Sequence, residues 1–357
     1  MSAPAWVAER LPTDLVHLDV AAAGRVSAGV LDRQVVHLTA EAEQGAYVAE
    51  VAAAAELDAG RAALAALVGL GADDVFFTDG ASTAFASVID AWPLPSGSRI
   101  GVVASEFASN AMVLQRRAAE HGWQLVELPC DRLGHVTEVP SGLDLLALPA
   151  VPSQRGIWQP VDELLASGVP LVLDVAQAAG QVAIPAGAAA YVGTSRKWLC
   201  GPRGVGFAAI APQWQQQLTA PAALNALEQS GVRRFDSTDP HVAGRLGLSL
   251  AARTWSPALL PAVAAAGAAA RVLLEGAGGW RVVEPVGEPT GITTLTHDWA
   301  DPFATRLAVL DRQILVAAVP VTRSQDQRTP VLRVSTAAWA TPEDLEALAA
   351  ALDDVTR

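Results

Sequence analysis

Lysine is almost absent from this sequence. Among its 24 basic side chains 23 are arginine, and Lys197 is the only lysine in 357 residues. A solvated cation can be arginine, as it is everywhere else in the chain, whereas only lysine can lose its proton in a desolvated site and attack a carbonyl. Lys197 is therefore predicted to be a Schiff-base lysine. The alternative is that Lys197 has no special role and remains by chance in a chain whose composition disfavours lysine.

Cysteine and positive charge are scarce as well. Cys130 and Cys200 are the only two cysteines, and neither belongs to a CxxC pair or to a metal-ligand spacing. No disulfide framework and no metal site are expected. The net charge of -13 argues against a nucleic-acid partner, because phosphate binding requires clustered lysine and arginine.

Neither a secretory signal nor a membrane span is indicated. The start, MSAPAWVAERLPTD, lacks a basic region followed by an apolar one. The most apolar later run, ALLPAVAAAGAAARVLL, is interrupted by Pro261, Gly267 and Arg271, which favours a core helix over a span. We therefore expect a cytoplasmic protein with no membrane partner.

Apolar residues make up 51% of the chain, and they occur in two kinds of segment that alternate along it. From about residue 74, short β-branched runs such as RIGVVASE and PLVLDVAQ are separated by alanine-rich helical stretches such as SNAMVLQRRAAEHGW. This alternation predicts an α/β fold with a mostly parallel sheet flanked by helices. Ligands collect at the carboxyl ends of the strands in such sheets.

The pattern changes after about residue 245, where long helices are followed by the strands GITTLT, ILVAAV and VLRVST. A closing helix is signalled by Thr341 as N-cap, Pro342 at the first helical position and Asp344 three residues after the cap. We predict an N-terminal segment at 1–15 that packs with the small domain, a large domain at 16–245, and a smaller α+β C-terminal domain at 246–357.

An acidic residue ends one of the predicted strands. Asp174 follows the apolar run LVL and lies 23 residues before Lys197, about one strand-to-strand crossover, so both can face one cavity. An aspartate opposite a protonated pyridine nitrogen, with a lysine on the aldehyde of the same ring, is the pairing used for pyridoxal 5'-phosphate (PLP). The alternative for Asp174 is a helix cap or a surface turn.

A phosphate site is predicted from two segments. FFTDGASTAF indicates a strand, a tight turn and a helix start, where the backbone N–H groups of Gly80, Ala81 and Ser82 suit a phosphate dianion. Many other turns between a strand and a helix look the same. Thr194 and Arg196 flank the lysine and can supply a hydroxyl and a cation to that phosphate.

Taken in order along the chain, these residues resemble the class V aminotransferase and cysteine desulfurase family of fold-type I PLP enzymes. The family's SxHKxxGPxGxG motif appears as TSRKWLCGPRGVG, with Thr194 for serine, Arg196 for histidine and Lys197 as the Schiff-base lysine. The family's DxxQ matches Asp174 and Gln177, which implies that the glutamine contacts the ring oxygen. In EFASN, Phe107 replaces the stacked histidine of EHxxN; phenylalanine stacks but cannot transfer protons, which leaves Lys197 as the proton carrier.

The resemblance implies further roles. Ser153 in VPSQRG stands where the family often has an asparagine near the ring oxygen, and LDVAAAGRVS places Ala22 and Gly24 at the mouth of the site. RRFDSTDP gives Thr238 the role of contacting the cofactor phosphate of the other subunit, so a homodimer is expected. Arg333 in LRVST is implied to bind the carboxylate of an amino-acid substrate; the alternative is a surface strand arginine.

The lack of a cysteine in one segment limits the reactions that the chain is expected to catalyse. ILVAAVPVTRSQDQRTPVLRVS, where a desulfurase carries its mobile cysteine, has none, and Cys130 and Cys200 are expected to be bystanders. HLDVAAAG, EQGAYVAE, EFASN and DPHVAGRLGLSLA are most similar to the C–S lyases of ergothioneine biosynthesis. This implies β-elimination on a cysteine S-conjugate, hercynylcysteine sulfoxide, giving ergothioneine, pyruvate and ammonia, with Tyr47 as a candidate for binding its trimethylammonium group. An aminotransferase or epimerase, a cysteine desulfurase, and a non-catalytic binding protein remain the alternatives.

Overall fold

A computed structural model describes residues 10–356 of the chain. The strands are β1 (Val16–His17), β2 (Val75–Thr78), β3 (Arg99–Val102), β4 (Gln124–Glu127), β5 (Leu145–Pro149), β6 (Leu171–Asp174), β7 (Ala190–Thr194), β8 (Gly206–Ile210), β9 (Arg281–Val282), β10 (Ile292–Thr296), β11 (Ile314–Leu315), β12 (Ala317–Val319) and β13 (Val331–Ser335). The helices are α1 (Ala28–Gln44), α2 (Ala46–Ala66), α3 (Ala81–Ala91), α4 (Ala108–His121), α5 (Val161–Ala166), α6 (Pro212–Gln215), α7 (Asn225–Glu228), α8 (Val242–Thr254), α9 (Leu260–Leu274), α10 (Pro302–Leu310) and α11 (Pro342–Val355).

The large sheet has the strand order β2-β8-β7-β6-β5-β3-β4. The pairs from β7 to β4 are parallel, whereas β8 runs antiparallel to both β7 and β2. A parallel return needs a crossover of a dozen or more residues, usually a helix, and the helix-free connection at 195–205 does not provide one. The predicted α/β fold with a mostly parallel sheet is confirmed.

The large sheet is covered on both faces. Strands β5 to β8 are buried along their whole length, which explains why their sequences are continuous apolar runs without alternation. One face packs against a cluster that includes Leu64, Leu173 and Phe207, and the other against a cluster that includes Phe85 and Val192. The residues that end these strands are thereby held in a rigid frame.

The second sheet lies in the C-terminal part and has the antiparallel order β12-β13-β10-β9. The predicted strand ILVAAV is split, because β11 pairs with β1 while β12 pairs with β13. The closing helix begins as predicted: the Thr341 hydroxyl accepts from the Asp344 amide at 3.2 Å, and the Asp344 carboxylate accepts from the Thr341 amide at 2.9 Å. This layer buries Trp280 and Leu332 in its own apolar cluster.

The predicted domain boundaries stay a prediction. β1 pairs with β11 and Leu18 belongs to the C-terminal cluster, so the chain just after residue 15 packs with the small domain. Helix α8 runs unbroken through the boundary at 245/246 and packs against α1 and α2. In the predicted N-terminal segment, the Arg10 guanidinium lies 3.8 Å from the ring centroid of Trp339. Residues 1–9 of that segment lie outside the described residues.

The segment Pro257–Leu274 is apolar and long enough to cross a membrane by length and composition alone, with a mean hydropathy of 1.7. The core helix of a globular domain meets the same criterion. Within it, the buried Arg271 guanidinium donates to the carbonyl oxygens of Glu288 at 2.8 Å and Ile292 at 2.9 Å. These bonds tie α9 to the strand β10 and to the segment before it, and the core helix stays a prediction.

Candidate active site

A cavity of about 280 Å³ opens at the carboxyl ends of strands β5, β6 and β7. Strands β6 and β7 are parallel neighbours, with Asp174 level with Val192, so residues that follow both strands converge there. The predicted residues that line the cavity are Gly80, Ala81, Ser82, Phe107, Ser153, Asp174, Gln177, Thr194, Arg196 and Lys197. Asp79, Thr83 and Arg323 also line it.

Lys197 presents its amine to this cavity. Removal from water lowers the pKa of the amine from 10.5 to about 7, and the nearby guanidinium groups of Arg196 and Arg333 act in the same direction. The Asp174 carboxylate opposes the shift without cancelling it. The amine has no hydrogen-bond or ion-pair partner among residues 10–356. It is therefore a nucleophile and a base that titrates near neutral pH.

Asp174 ends β6 and is 7% exposed. One carboxylate oxygen accepts from the Ala176 amide at 2.7 Å, and the other accepts from the Asn110 side-chain amide at 2.8 Å. Burial raises the pKa of the Asp174 carboxyl, and the opposing attraction of Lys197 is weaker. Among the described residues it has no salt bridge, so a cationic ligand group would stabilise its ionised form.

Glu106 adds a second buried carboxyl beside the first. Its Oε1 accepts from the Phe107 amide at 2.7 Å and from Asn110 at 3.1 Å, whereas its Oε2 has no partner among residues 10–356. Burial, followed by the negative charge of Asp174, raises the pKa of Glu106 well above its ordinary value. Asn110 thus bridges two carboxyl groups, of which Glu106 favours the protonated form.

Gln177 is oriented by an indole. The Trp198 Nε1–H donates to the Gln177 Oε1 at 2.9 Å, and Gln177 Nε2 donates to the Ala21 carbonyl at 3.1 Å. Because an indole N–H is only a donor, this contact fixes which end of the amide carries the oxygen. The second Nε2 proton remains available to an acceptor such as a ring oxygen.

The turn before α3 forms an anion site. Gly80 is the N-cap of α3 without a side-chain cap, and apart from its chain neighbours no described residue has an atom within 4 Å of where its Cβ would be. The N–H groups of the first turn have no acceptor among the described residues and carry the positive end of the helix dipole. Thr194 and the Arg196 side chain line the same cavity. This group of donors suits a phosphate dianion.

Arg333 lies on β13 and is 3% exposed, so it is not a surface strand arginine. Its Nη1 donates to the Ser153 carbonyl at 2.6 Å, its Nη2 pairs with the Asp19 carboxylate at 3.1 Å, and its Nε is buried without a partner among the described residues. The guanidinium is thereby fixed in place behind the cavity rather than lining it. Its contact with a substrate carboxylate stays a prediction.

Four other predicted residues do not line the cavity. Gly24 packs under the lysine segment: its N–H donates to the Arg196 carbonyl at 2.7 Å, and a Cβ there would meet the Lys197 carbonyl oxygen at 2.5 Å. Ala22 lies in the same turn, where its N–H donates to the Asp19 carbonyl at 3.1 Å. Their substrate contacts stay predictions.

Tyr47 and Thr238 lie elsewhere on the chain. Tyr47 is 84% exposed on α2, and Thr238 lines a separate cavity with Arg61 and Arg245. The contact of Thr238 with the cofactor phosphate of another subunit stays a prediction, as does the contact of Tyr47 with the substrate.

Neither cysteine lines the cavity. Cys130 is exposed, whereas Cys200 is 2% exposed and packs beside Gly24. Burial raises the pKa of the Cys200 thiol to about 11, which keeps it protonated and unreactive at neutral pH. Within residues 10–356 no cluster of three metal-binding side chains is present.

The residues present fit PLP. An amine with a pKa near 7 suits the aldehyde, a buried carboxylate without a salt bridge among the described residues suits a pyridinium nitrogen, and helix N–H groups without an acceptor among those residues suit the phosphate. Lys197, Asp174 and the first turn of α3 would hold these three parts of the cofactor, with Gln177 and Phe107 at its ring.

The sequence indicates no role for Trp198 and Arg323, and for Glu106 and Asn110 it indicates only a position after the strand in RIGVVASE. Asn110 lies one helical turn after Phe107 in EFASN, and this spacing could have placed it beside Asp174. Trp198 directly follows the lysine, but nothing in its sequence position indicates the contact with Gln177. Arg323 reaches the cavity from the C-terminal sheet, and no local pattern marks it.

Comparison with known proteins places the chain in a family. The model of the family "Aminotransferase class-V" matches residues 16–348. A curated protein of Mycobacterium tuberculosis (strain CDC 1551 / Oshkosh), described as "Probable hercynylcysteine sulfoxide lyase", is 38% identical over 367 aligned positions, which cover 97% of this chain and 92% of that protein.

Solved structures share the fold. A cysteine desulfurase from Thermococcus onnurineus NA1 has a TM-score of 0.88 at 18% identity, covering 100% of this chain and 98% of that chain. The cystine C–S lyase C-DES, in complex with its product cysteine persulfide, has a TM-score of 0.86 at 17% identity, covering 96% and 98%. The expected fold type I, with its large sheet domain and its smaller C-terminal sheet, is confirmed. The chain belongs to the aminotransferase class-V family of PLP-dependent enzymes.

Proposed function

We propose that this protein is a C–S lyase that performs β-elimination on a cysteine S-conjugate, with hercynylcysteine sulfoxide as its substrate. The observation that carries the proposal is the wall of the cavity, which contains a lysine that titrates near neutral pH and neither of the two thiols. A β-elimination needs a proton carrier and an electron sink but no thiol. The 38% identical relative, named as such a lyase, supports the same substrate.

Lys197 moves the proton in this proposal. Bound PLP supplies an electron sink for the charge that develops on the substrate α-carbon. Phe107 has no ionisable group, so the Lys197 amine, with a pKa near 7, takes the α-proton. Asp174 would hold a proton on the pyridine nitrogen, because its buried carboxylate gains a cationic partner there.

Arg333 orients the substrate. The Ser153 carbonyl and Asp19 hold its guanidinium plane, and the unpartnered Nε together with the second proton of each terminal nitrogen is left for the α-carboxylate. Fixing the carboxylate fixes which substituent of the α-carbon points toward Lys197, and such alignment contributes to the rate without any new bond.

The proposed elimination breaks two bonds of the substrate, the α-carbon–hydrogen bond and the C–S bond. The α-proton leaves to Lys197, the C–S bond breaks, and the sulfur departs with the electron pair as a sulfenate, which takes up a proton. The three-carbon remainder adds water and releases pyruvate and ammonia. Reduction of the sulfenic acid to ergothioneine consumes two electrons, which a small-molecule thiol supplies outside this reaction.

An aminotransferase or an epimerase would use the same cofactor residues, so the products decide between them. The test incubates PLP-loaded protein with hercynylcysteine sulfoxide and measures pyruvate by coupled reduction to lactate. We expect one pyruvate for each conjugate consumed, and none with Lys197→Arg. Accumulation of pyridoxamine phosphate without pyruvate would indicate transamination, and racemised substrate without either would indicate an epimerase.

Two alternative functions differ from a lyase in the sulfur compounds that they consume. A cysteine desulfurase would release sulfur from free cysteine, which we expect this protein to do poorly, and a non-catalytic binding protein would consume neither substrate.

We also propose a cytoplasmic homodimer in which Thr238 contacts the cofactor phosphate of the other subunit. Sedimentation equilibrium that gave a monomer for the PLP-loaded protein would contradict the dimer.

A further inference from the structure

We propose that Arg323 is a specificity-determining residue that binds a second carboxylate, one carried by the sulfur substituent of the substrate. The proposal rests on the proposed lyase function and defines its substrate class: cysteine S-conjugate sulfoxides whose leaving group is anionic.

Arg323 lines the cavity, and its guanidinium has no acceptor in the part of the chain that the structure describes. Its guanidinium carbon lies 5.5 Å from the ring centroid of Phe107, and its side chain makes no hydrogen bond or ion pair with residues 10–356. An arginine has five donors in a planar fork that matches a carboxylate, so a partly buried guanidinium whose donors lack acceptors in the described chain is a site for an anion.

The loop that carries Arg323 is held in place. The carbonyl oxygen of Ala104 accepts from the amides of Gln325 at 3.0 Å and Asp326 at 3.2 Å, and the Asp326 carboxylate pairs with Arg155 at 2.8 Å. These contacts join the loop between β12 and β13 to the large domain. The guanidinium is thereby positioned before a ligand arrives, which lowers the entropy lost on binding.

The charges around the cavity leave Arg323 without a counter-ion. Burial, followed by repulsion from Arg333 and Arg196, lowers the pKa of Arg323, and only Asp19 acts in the opposite direction. Asp19 is already paired with Arg333 at 3.1 Å. If the cofactor phosphate binds Arg196 and the α-carboxylate binds Arg333, one guanidinium remains for a third anion.

The position of Arg323 indicates where that anion sits. Lys197 and Asp174 reach the cavity from the large sheet, whereas Arg323 reaches it from the loop that joins β12 and β13 of the C-terminal sheet. The part of a substrate that extends away from the reacting carbon, the sulfur substituent, therefore meets Arg323. The proposed hercynyl group has a carboxylate of its own and belongs to this class.

The test compares two synthetic conjugates of the same shape and different charge. These are S-(2-carboxyethyl)cysteine sulfoxide and its uncharged amide, S-(2-carbamoylethyl)cysteine sulfoxide, and kcat/KM for pyruvate release is measured with each. We expect Arg323→Gln to lower kcat/KM for the carboxylate by about 10- to 100-fold, mainly through KM, and to leave the amide almost unchanged. Arg323→Lys should recover part of the loss. Arg328→Gln, an exposed arginine of the same loop, is the matched control and should behave as wild type.

Results that would contradict the role of Arg323 differ from results that would contradict the proposed function. Equal losses on both conjugates would place Arg323 at the shared amino-acid part and overturn the proposal, and so would no loss on either. If the wild type released no pyruvate from hercynylcysteine sulfoxide or from either conjugate, the proposed function would fail by itself. Calorimetry with the corresponding thioethers would then still test the role of Arg323. Loss of the preference for the carboxylate in Arg323→Gln would support that role, and an unchanged preference would contradict it.

Discussion

The side-chain amide of Asn110 donates to the Asp174 carboxylate at 2.8 Å and to the Glu106 carboxylate at 3.1 Å. Asp174 ends β6 and Glu106 follows β3, the second strand along the sheet, so one neutral donor lies between two buried carboxyl groups. Burial raises the pKa of both carboxyl groups, and the hydrogen bond from the amide opposes that shift and favours the ionised form of Asp174.

Asn110→Ala is therefore expected to weaken cofactor retention. Loss of a hydrogen bond to a charged group costs about 1.5–3 kcal/mol, so the Kd for PLP should rise by about 10- to 100-fold. Equilibrium dialysis of the protein with PLP measures this. Ser109→Ala, at an exposed position next to it on α4, should leave the Kd unchanged. Equal affinity in Asn110→Ala and wild type would remove Asn110 from the site.

The lowered pKa of Lys197 predicts how the apoenzyme takes up PLP. Only the neutral amine attacks an aldehyde, so the rate of attachment should rise about tenfold per pH unit below pH 7 and level off above it. Stopped-flow absorbance in the visible follows the reaction. Asp174→Asn removes the charge that raises this pKa, so the inflection should move to lower pH. An inflection near 10.5, the ordinary value for lysine, would contradict the burial of the amine.

A buried ion pair under the phosphate turn predicts a stability effect. The Asp236 carboxylate accepts from Arg61 at 2.8 Å and from the Phe77 amide of β2 at 2.7 Å, and Arg245 lies 3.9 Å away. Asp236→Asn leaves the buried Arg245 guanidinium without its carboxylate and Arg61 with only the more exposed Asp58, and it should lower the free energy of unfolding by about 3–5 kcal/mol. Urea denaturation measures it. Asp73→Asn, at a carboxylate that is 95% exposed, should change it by about 0–1 kcal/mol; equal effects would refute the role of the pair.

The cysteines should be dispensable. Cys130 is exposed and Cys200 is buried with a pKa of about 11, and neither lines the cavity. A double variant, Cys130→Ser with Cys200→Ala, should release pyruvate at a rate comparable to wild type. Absorbance of the bound cofactor and circular dichroism serve as controls for loading and folding. A folded, PLP-loaded and inactive double variant would favour a thiol-dependent sulfur transfer.

Local patterns were sufficient for the centre of the site. Lys197, Asp174 and Gly80 each follow a strand with a recognisable sequence, and the carboxyl ends of neighbouring strands meet, so their convergence could be predicted. The antiparallel course of β8 was not predicted, because it depends on the lack of a helix between two strands that look alike in sequence.

The rest of the site depends on contacts between distant segments. Asp19 meets Arg333 over 314 positions of sequence, and Trp198 meets Gln177 through a side-chain rotation that no spacing reveals. Arg333 lies on β13 and Arg323 on the loop that precedes it, yet only Arg323 lines the cavity. The direction of a side chain within a folded loop is a tertiary property, and a motif does not contain it.

The central claim is that one lysine holds the cofactor and carries the proton, and the chain's composition allows a direct measurement. The PLP-loaded protein is reduced with borohydride, digested, and mapped by mass spectrometry. Because Lys197 is the only lysine, the account predicts one pyridoxyl phosphate group per chain, on the peptide that contains Lys197, and none in Lys197→Arg. A protein that remains unmodified after reduction, or that carries the group on its terminal amine while Lys197 stays free, would contradict the account.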